Sequence, residues 1–241
     1  MVYMILTQHP TTKAITISQK VYFQRMLAHF GLEHVRRRNT PLPPNTKLHE
    51  SPNPLPAEEQ RFMADKPYWS IVGAILWGQV CTRPDPAFAG SLLARYQLNP
   101  GREHWECVEW VAGYITYTID YAITYRAPPT PTPDPGQGLK PYAGCQDTYR
   151  STSRYVFFMA GALVSWSSKR QAMVALSTTE SEYIGLSRAA QQAIWLTSFL
   201  SEVDLAQEGP INMLGDNFSS ISLTENLKRH ALVKHIKMCH C

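Results

Sequence analysis

Two acidic residues, Glu180 and Asp216, stand where they could hold divalent metal ions. Glu180 is predicted at the start of a helix that follows a strand, and Asp216 at the carboxyl end of a short strand. Cleavage of a phosphodiester by two metal ions about 3.5–4 Å apart needs clustered carboxylates, because Mg²⁺ binds oxygen ligands. Either acid alone has a simpler interpretation, since a glutamate at a helix start stabilises the helix dipole and an aspartate after a strand favours a turn. The metal site is therefore a hypothesis that depends on the surrounding sequence.

The elements that would position these acids are predicted in the second half of the chain. β-Prone residues indicate strands, Gly161 indicates a hairpin turn between two of them, and Thr178 or Thr179 is the predicted helix cap. The predicted strands cover residues 155–158, 163–167, 172–176 and 211–214, one helix runs from residue 179 to about 203, and another begins at residues 218–223. Strands followed by a helix, a strand and a helix predict a mixed sheet with helices packed on it.

The first half of the chain is predicted to be mostly helical. A short strand is predicted where isoleucines alternate with threonine at residues 15–17, and a helix at residues 18–30 ends at Gly31. Three more helices are predicted at residues 68–80, 86–98 and 103–117, after proline-rich stretches at 36–44 and 51–56 that we expect to be irregular and exposed. The helix at 68–80 is apolar on nearly every side, which is typical of a buried helix.

Residues 126–135, RAPPTPTPDP, form the sharpest boundary in the sequence. Their five prolines prevent a helix and favour an extended, semi-rigid linker. We therefore predict a module at residues 1–125, a proline-rich linker at residues 126–136 and a second module at residues 137–241.

The composition indicates a globular intracellular protein, located in the cytoplasm or the nucleus. Apolar residues make up 44% of the 241 residues, enough for a core, and the net charge of +4 is compatible with a polyanionic partner without requiring one. Five cysteines without a C-x-x-C pair are typical of reduced thiols. We find no signal peptide and no window near the ~20 apolar residues that span a bilayer, so we expect neither secretion nor membrane insertion.

Three segments of the second half follow one another in a specific order: SWSSKRQAMVALSTTESEY at residues 165–183, GDN at 215–217 and HALVKHIK at 230–237. They resemble the ribonuclease H domain of copia-type retrotransposon Pol polyproteins. Upstream, CTRPDPAFAGSLLARYQLNP at 81–100 and HWECVEWVAGYITYTIDYAITY at 104–125 resemble the thumb and connection of the same family's reverse transcriptase, so the resemblance covers nearly the whole chain. It implies an α+β or α/β fold, with a mostly helical connection-like module and a ribonuclease H-like mixed sheet with flanking helices, truncated at its C-terminus.

The resemblance assigns the cleavage of RNA in RNA–DNA hybrids to four carboxylates that bind Mg²⁺ or Mn²⁺. Glu180 and Asp216 correspond to two of them. Leu139 stands at the first position when residues are counted without gaps, unless the first strand has lost residues, and Lys237 stands at the last. Since a missing ligand removes the metal geometry that this reaction needs, we expect the chain to be inactive and to bind no metal ion tightly.

Nucleic-acid contacts would come from Lys169, Arg170, Asn217 and Lys234. The expected partners are an RNA–DNA hybrid or another nucleic acid, and other parts of a retrotransposon polyprotein. Two alternatives stay open: a non-catalytic nucleic-acid-binding module, and a metal-dependent ribonuclease H with shifted ligands such as Asp147. Polymerase activity is not expected, because no Asp-Asp pair occurs in the sequence.

Overall fold

The computed structural model describes residues 4–126, 150–175, 177–205, 209, 211, 213 and 214. These residues form two compact units. The first unit contains residues 4–126 together with residues 157–168, and the second contains residues 150–156 and the described residues from 169 onwards. The fold is α+β, in agreement with the sequence: within the described residues, six α-helices accompany small antiparallel sheets. The predicted linker at 126–136 lies outside the described residues except for Arg126.

The first unit contains a three-stranded antiparallel sheet. Its strands are β1 (Ile5–Gln8), β2 (Ile15–Ser18) and β3 (Ile123–Tyr125), in the order β1-β2-β3. Thr16 pairs with Thr7 on one side and with Thr124 on the other, where the two hydroxyl oxygens lie 3.1 Å apart. The strand predicted at residues 15–17 is confirmed. The sequence does not predict β1, which has the length of β2 but lacks its alternation of apolar and polar residues, or β3, which has three residues.

Helices make up the rest of the first unit. They are α1 (Lys20–His29), α2 (Ala57–Met63), α3 (Tyr68–Cys81), α4 (Ala87–Leu93) and α5 (Arg102–Tyr117), with a 3₁₀ turn at Ala94–Tyr96. The helices predicted at 18–30, 68–80 and 103–117 are confirmed to within two residues at each end. The helix predicted at 86–98 is too long, because α4 tightens into the 3₁₀ turn after Leu93. The sequence does not predict α2, a helix of seven residues in which only Phe62 and Met63, at its C-terminal end, pack against the core as partly buried apolar side chains.

The core of the first unit lies among α1, α3, α4 and α5. Its almost completely buried side chains include Phe23, Leu27, Ile71, Ile75, Leu93, Val108 and Ile115. Gly78 allows α1 and α3 to come close, because a Cβ atom at this position would overlap the ring of Phe23. Full burial of one such side chain stabilises a protein by about 1.5–3 kcal/mol, which makes this cluster the main stabilising feature of the unit.

α3 is buried on one face only, which corrects the expectation of a helix buried on nearly every side. Ile71, Val72 and Ile75 are almost inaccessible to solvent, whereas Trp69 is 71% exposed and Val80 is 68% exposed. The apolar composition of a helix does not determine how many of its faces are packed against other elements. In the described part of the protein, α3 therefore presents an apolar stripe to solvent.

An ion pair between the buried Arg83 and the partly buried Asp85, whose side chain is 25% exposed, connects the segment after α3 with the end of α5. The Arg83 side chain is 2% exposed, and its guanidinium donates to both carboxylate oxygens of Asp85 at 2.7–3.2 Å. The guanidinium also donates to the Thr118 carbonyl oxygen at 3.1 Å and to the Thr118 hydroxyl. Burying a guanidinium without an anion is unfavourable. The carboxylate of Asp85 therefore offsets the desolvation cost of Arg83.

His104 is a fully buried imidazole in the first turn of α5. Its Nδ1 accepts a hydrogen bond from the backbone N–H of Gly101 at 3.0 Å, and its ring centroid lies 4.4 Å from that of Tyr96. Burial lowers the pKa of His104, and the nearby charge of Glu103 opposes this shift only in part. The folded structure therefore favours the neutral ring.

We expect the first unit to lose stability as the pH falls below about 6.5, the ordinary pKa of histidine. Because the folded pKa of His104 is the lower one, the unfolded chain takes up the proton first, and stability falls by up to about 1.4 kcal/mol per pH unit. His104→Gln should flatten this dependence in urea unfolding curves recorded between about pH 5 and pH 7.5. A pH dependence as steep in His104→Gln as in the unmodified chain would contradict the assignment.

The hairpin and the long helix predicted in the second half of the chain are confirmed. β4 (Thr152–Met159) and β5 (Ala162–Arg170) pair through a two-residue turn at Ala160 and Gly161, whose φ angles of 52° and 74° are the positive values that such turns require. α6 (Thr178–Glu202) follows. Among the helices of the described residues, none combines the length and the apolar character needed to cross a membrane.

Two predicted strands of the mixed sheet are wrong. Residues 172–175 form bends and irregular structure, and residues 211, 213 and 214 form no strand either. A short apolar run has a propensity for extended structure, but a strand forms only where a partner strand lies beside it. The helix predicted to begin at 218–223 lies outside the described residues, and the ribonuclease H-like sheet stays a prediction.

Candidate functional site

Glu180 lies in the first turn of α6 and is 6% exposed. The helix is capped by Ser177, whose hydroxyl oxygen accepts a hydrogen bond from the backbone N–H of Glu180 at 3.1 Å. Ser177 has the extended backbone of an N-cap, so the cap lies one residue before the predicted Thr178. Glu180 thus starts a helix, as predicted, and its burial is unusual for a glutamate.

Glu180 belongs to a group of buried polar residues that we name the serine–glutamine cluster. Its members come from the start of β4, the residue after β5 and the first turn of α6: Ser151, Thr152, Ser153, Gln171, Glu180 and Ser181. The backbone N–H of Gln171 donates to the Ser151 carbonyl oxygen at 2.8 Å. This hydrogen bond joins the two arms of the hairpin at its base. The cluster therefore lies where the hairpin base meets the start of the helix.

The Gln171 side chain makes the hydrogen bonds between these elements. Its Nε2 donates to Ser153 Oγ at 2.9 Å and to the Ser181 carbonyl oxygen at 2.7 Å, and lies 3.2 Å from Ser181 Oγ. Sequence reasoning missed Gln171, because a glutamine after a basic pair at the end of a strand is usually solvated. The one available signal was the run of hydroxyl residues at 151–153, which suits a partner with an amide side chain.

Lys169 and Arg170 are the predicted nucleic-acid contacts that fall within the described residues. They end β5, immediately before Gln171, and Lys169 is exposed while Arg170 is half-buried. A lysine in this position is available to a phosphate group, although exposed lysines are also common at any protein surface.

Five predicted site residues lie outside the described residues: Leu139, Asp216, Asn217, Lys234 and Lys237. The proximity of the Glu180 and Asp216 carboxylates therefore stays a prediction. The same holds for the nucleic-acid contacts of Asn217 and Lys234.

The described residues alone do not fit a pair of metal ions. Within them, no group of three or more histidine, cysteine, aspartate or glutamate side chains could hold a metal ion. Glu180 is the only member of the predicted acid set among them. Glu182 lies two residues further along α6, which turns it about 200° around the helix from Glu180 and makes it a poor substitute ligand.

A separate groove of about 630 Å³ lies in the first unit, between the loop of residues 35–48 and α5. Its charged lining consists of Arg36, Arg38, Lys47, Glu103, Glu106 and Glu109. The guanidinium of Arg38 stacks over the Trp110 ring, 3.7 Å from the ring centroid. Because the cations and carboxylates of the lining balance, this groove lacks the excess positive charge that would attract a polyanion.

Known proteins similar to this chain include two plant retrotransposon polyproteins. The Pol polyprotein from transposon TNT 1-94 of Nicotiana tabacum is 36% identical over 236 residues, which are 97% of this chain and 17% of that polyprotein. The Pol polyprotein from transposon RE2 of Arabidopsis thaliana is 28% identical over 227 residues, 94% of this chain and 15% of that polyprotein. The chain belongs to the copia-type retrotransposon Pol polyproteins. This Pol chain spans less than a fifth of the length of either relative.

A shorter relative covers part of the Pol chain. Secreted RxLR effector protein 161 of Plasmopara viticola is 42% identical over 135 residues, which are 56% of this chain and 94% of that protein. No family model and no solved structure matches the chain. The relatives therefore establish the family, but neither the reaction nor its site.

Proposed function

We propose that the second half of this Pol chain is a ribonuclease H-like module whose reaction, the cleavage of RNA in RNA–DNA hybrids, has been lost. The observation that supports the proposal most is Glu180, which is buried in the first turn of α6, in the helix that follows a hairpin. The ribonuclease H resemblance implies this place for one of its metal-binding acids. The mixed sheet, the site shared with Asp216 and the linker at 126–136 are parts of the same proposal.

The loss of activity follows from the residues at the two other acid positions. Leu139 supplies no oxygen ligand, and Lys237 would place a cation beside any bound dication. Mg²⁺ and Mn²⁺ bind oxygen ligands, so two carboxylates in place of four hold a metal pair neither tightly nor in the geometry that hydrolysis needs. Repulsion from Lys237 would be stronger than in water, because the effective dielectric constant of a partly buried site is lower. We propose no resident metal ion for this chain.

A non-catalytic nucleic-acid-binding module is the second candidate. The observation that favours it is the exposed Lys169 at the end of β5, to which the proposal adds Arg170, Asn217 and Lys234. Its partner would be an RNA–DNA hybrid or another nucleic acid, beside other parts of a retrotransposon polyprotein. Phosphate contacts weaken steeply with salt, so a gel shift that is lost between about 50 and 200 mM salt, and weaker in Lys169→Ala, would favour this candidate.

The unmodified chain is expected not to cleave an RNA–DNA hybrid with either Mg²⁺ or Mn²⁺, because two of the four acids are replaced. The assay compares it with Glu180→Gln, which keeps the size of the side chain and lacks the carboxylate, and with an active ribonuclease H on the same substrate. We expect the unmodified chain and Glu180→Gln to be indistinguishable. Metal-dependent cleavage that Glu180→Gln abolishes would refute the loss of activity and support a site with shifted ligands.

A further inference from the structure

The amide orientation of Gln171 is determined by its neighbours. A backbone carbonyl oxygen only accepts hydrogen bonds, so the atom 2.7 Å from the Ser181 carbonyl oxygen has to belong to the NH₂ group. The Oε1 atom is consequently buried, and it has no hydrogen-bond partner among the described residues. A buried acceptor without a partner is unfavourable, so the donation by Nε2 is what keeps this side chain, 1% exposed, inside the protein.

The hydrogen bond to Ser181 acts on the part of α6 that opens most readily. The N–H groups of a first helical turn have no partner inside the helix, and helix ends open more often than helix centres. Ser177 holds the N–H of Glu180, and Gln171 holds the carbonyl oxygen of the next residue, Ser181. The backbone of Glu180 is therefore fixed between the cap and the hairpin base.

We propose that Gln171 is the positioning residue of Glu180: by tying the first turn of α6 to the hairpin, it sets where the Glu180 carboxylate stands. This inference rests on the proposed ribonuclease H-like site, since it gives Gln171 a role in placing the buried acid of that site. The hydrogen bonds that Gln171 donates to Ser153 of β4 and to Ser181 of α6 form without a metal ion or a nucleic acid.

The test is amide hydrogen exchange, measured by NMR on the full chain without metal ion or nucleic acid. Gln171→Met keeps the length of the side chain and removes the donor. We expect the Glu180 and Ser181 amides to exchange about tenfold faster, with the amide of Ala193, in the middle of α6, unchanged. The ¹³C resonance of the Glu180 carboxylate should shift in the same variant. Gln191→Met, at an exposed glutamine of the same helix, should alter neither observable.

Unchanged exchange at Glu180 and Ser181 in Gln171→Met would overturn the proposal. Equal acceleration along the whole of α6 would overturn it as well, because the substitution would then act on global stability. If Gln171→Met does not fold, Ser153→Ala is the second variant: it removes one acceptor of Nε2 and should accelerate the same two amides about two- to threefold, and no acceleration would again overturn the proposal. The cleavage assay tests the proposed reaction, and the exchange measurement tests the hydrogen bonds of Gln171. Either proposal can therefore be refuted while the other stands.

Discussion

Asp85→Ala is expected to destabilise the first unit by about 3–5 kcal/mol. Arg83 would keep its charge in the core with Thr118 as its remaining hydrogen-bond partner in the described structure, since its side chain is 2% exposed. A buried charge left without its counter-ion costs more than the intact pair contributes. Urea unfolding of the purified chain measures the loss, and adding Arg83→Met should recover part of it, because no unpaired cation is then left in the core.

Asp120→Ala is the matched control for that experiment. Lys20 and Asp120 form an ion pair at 2.6 Å, close to the 2.7 Å of the buried pair, but their side chains are 44% and 76% exposed. Solvent screens an exposed pair, so its loss should cost less than about 1 kcal/mol. Equal losses for Asp85→Ala and Asp120→Ala would show that Arg83 is not held in the core as described.

Restoring the lost acids is expected to return hybrid cleavage only when both positions are changed. Lys237→Asp alone leaves the first acid missing, and Leu139→Asp alone leaves a cation beside the metal ions. Because each metal ion needs its bridging ligands, both single variants should stay at background. Where residue 139 occupies the place of the lost acid, the double variant should exceed them by at least about a thousandfold, which corresponds to about 4 kcal/mol of transition-state stabilisation.

The outcome of the double variant also distinguishes two ways of losing the first acid. Recovery indicates substitution at Leu139, and continued inactivity indicates that the first strand was shortened. Glu180→Gln in the double variant is the control and should abolish any recovered cleavage. Cleavage restored by Lys237→Asp alone would contradict the assignment of the acid positions.

The long helices and the hairpin could be predicted because their signals are local. α3, α5 and α6 each carry several turns of apolar or periodic sequence, and Gly161 marks the hairpin turn. β3 pairs with β2, more than 100 positions away, and a pairing at that distance leaves no pattern in three residues. The strand predicted at 172–176 fails for the related reason that propensity cannot supply a partner strand.

Of the two central residues of the candidate site, Glu180 and Gln171, only the charged one, Glu180, could be predicted from the sequence. Glu180 is recognisable as an acid at a helix start, whereas the burial of Gln171 arises where β4, β5 and α6 come together, which no local pattern encodes. The same limit applies to Arg83 and Asp85, which in sequence resemble an exposed pair two residues apart. The burial of the Arg83 guanidinium arises from contacts such as that with Thr118 at the end of α5, which lies 35 positions further along the chain.

The distance between the carboxylates of Glu180 and Asp216, measured by crystallography of the chain, tests the central claim most directly. Two metal ions about 3.5–4 Å apart, each about 2 Å from its ligands, can be shared only by carboxylates within about 8 Å of each other. We predict a separation below about 8 Å, the geometry of a ribonuclease H-like site that has kept two of its acids. A larger separation would contradict that site and leave the chain a copia-type Pol segment without it.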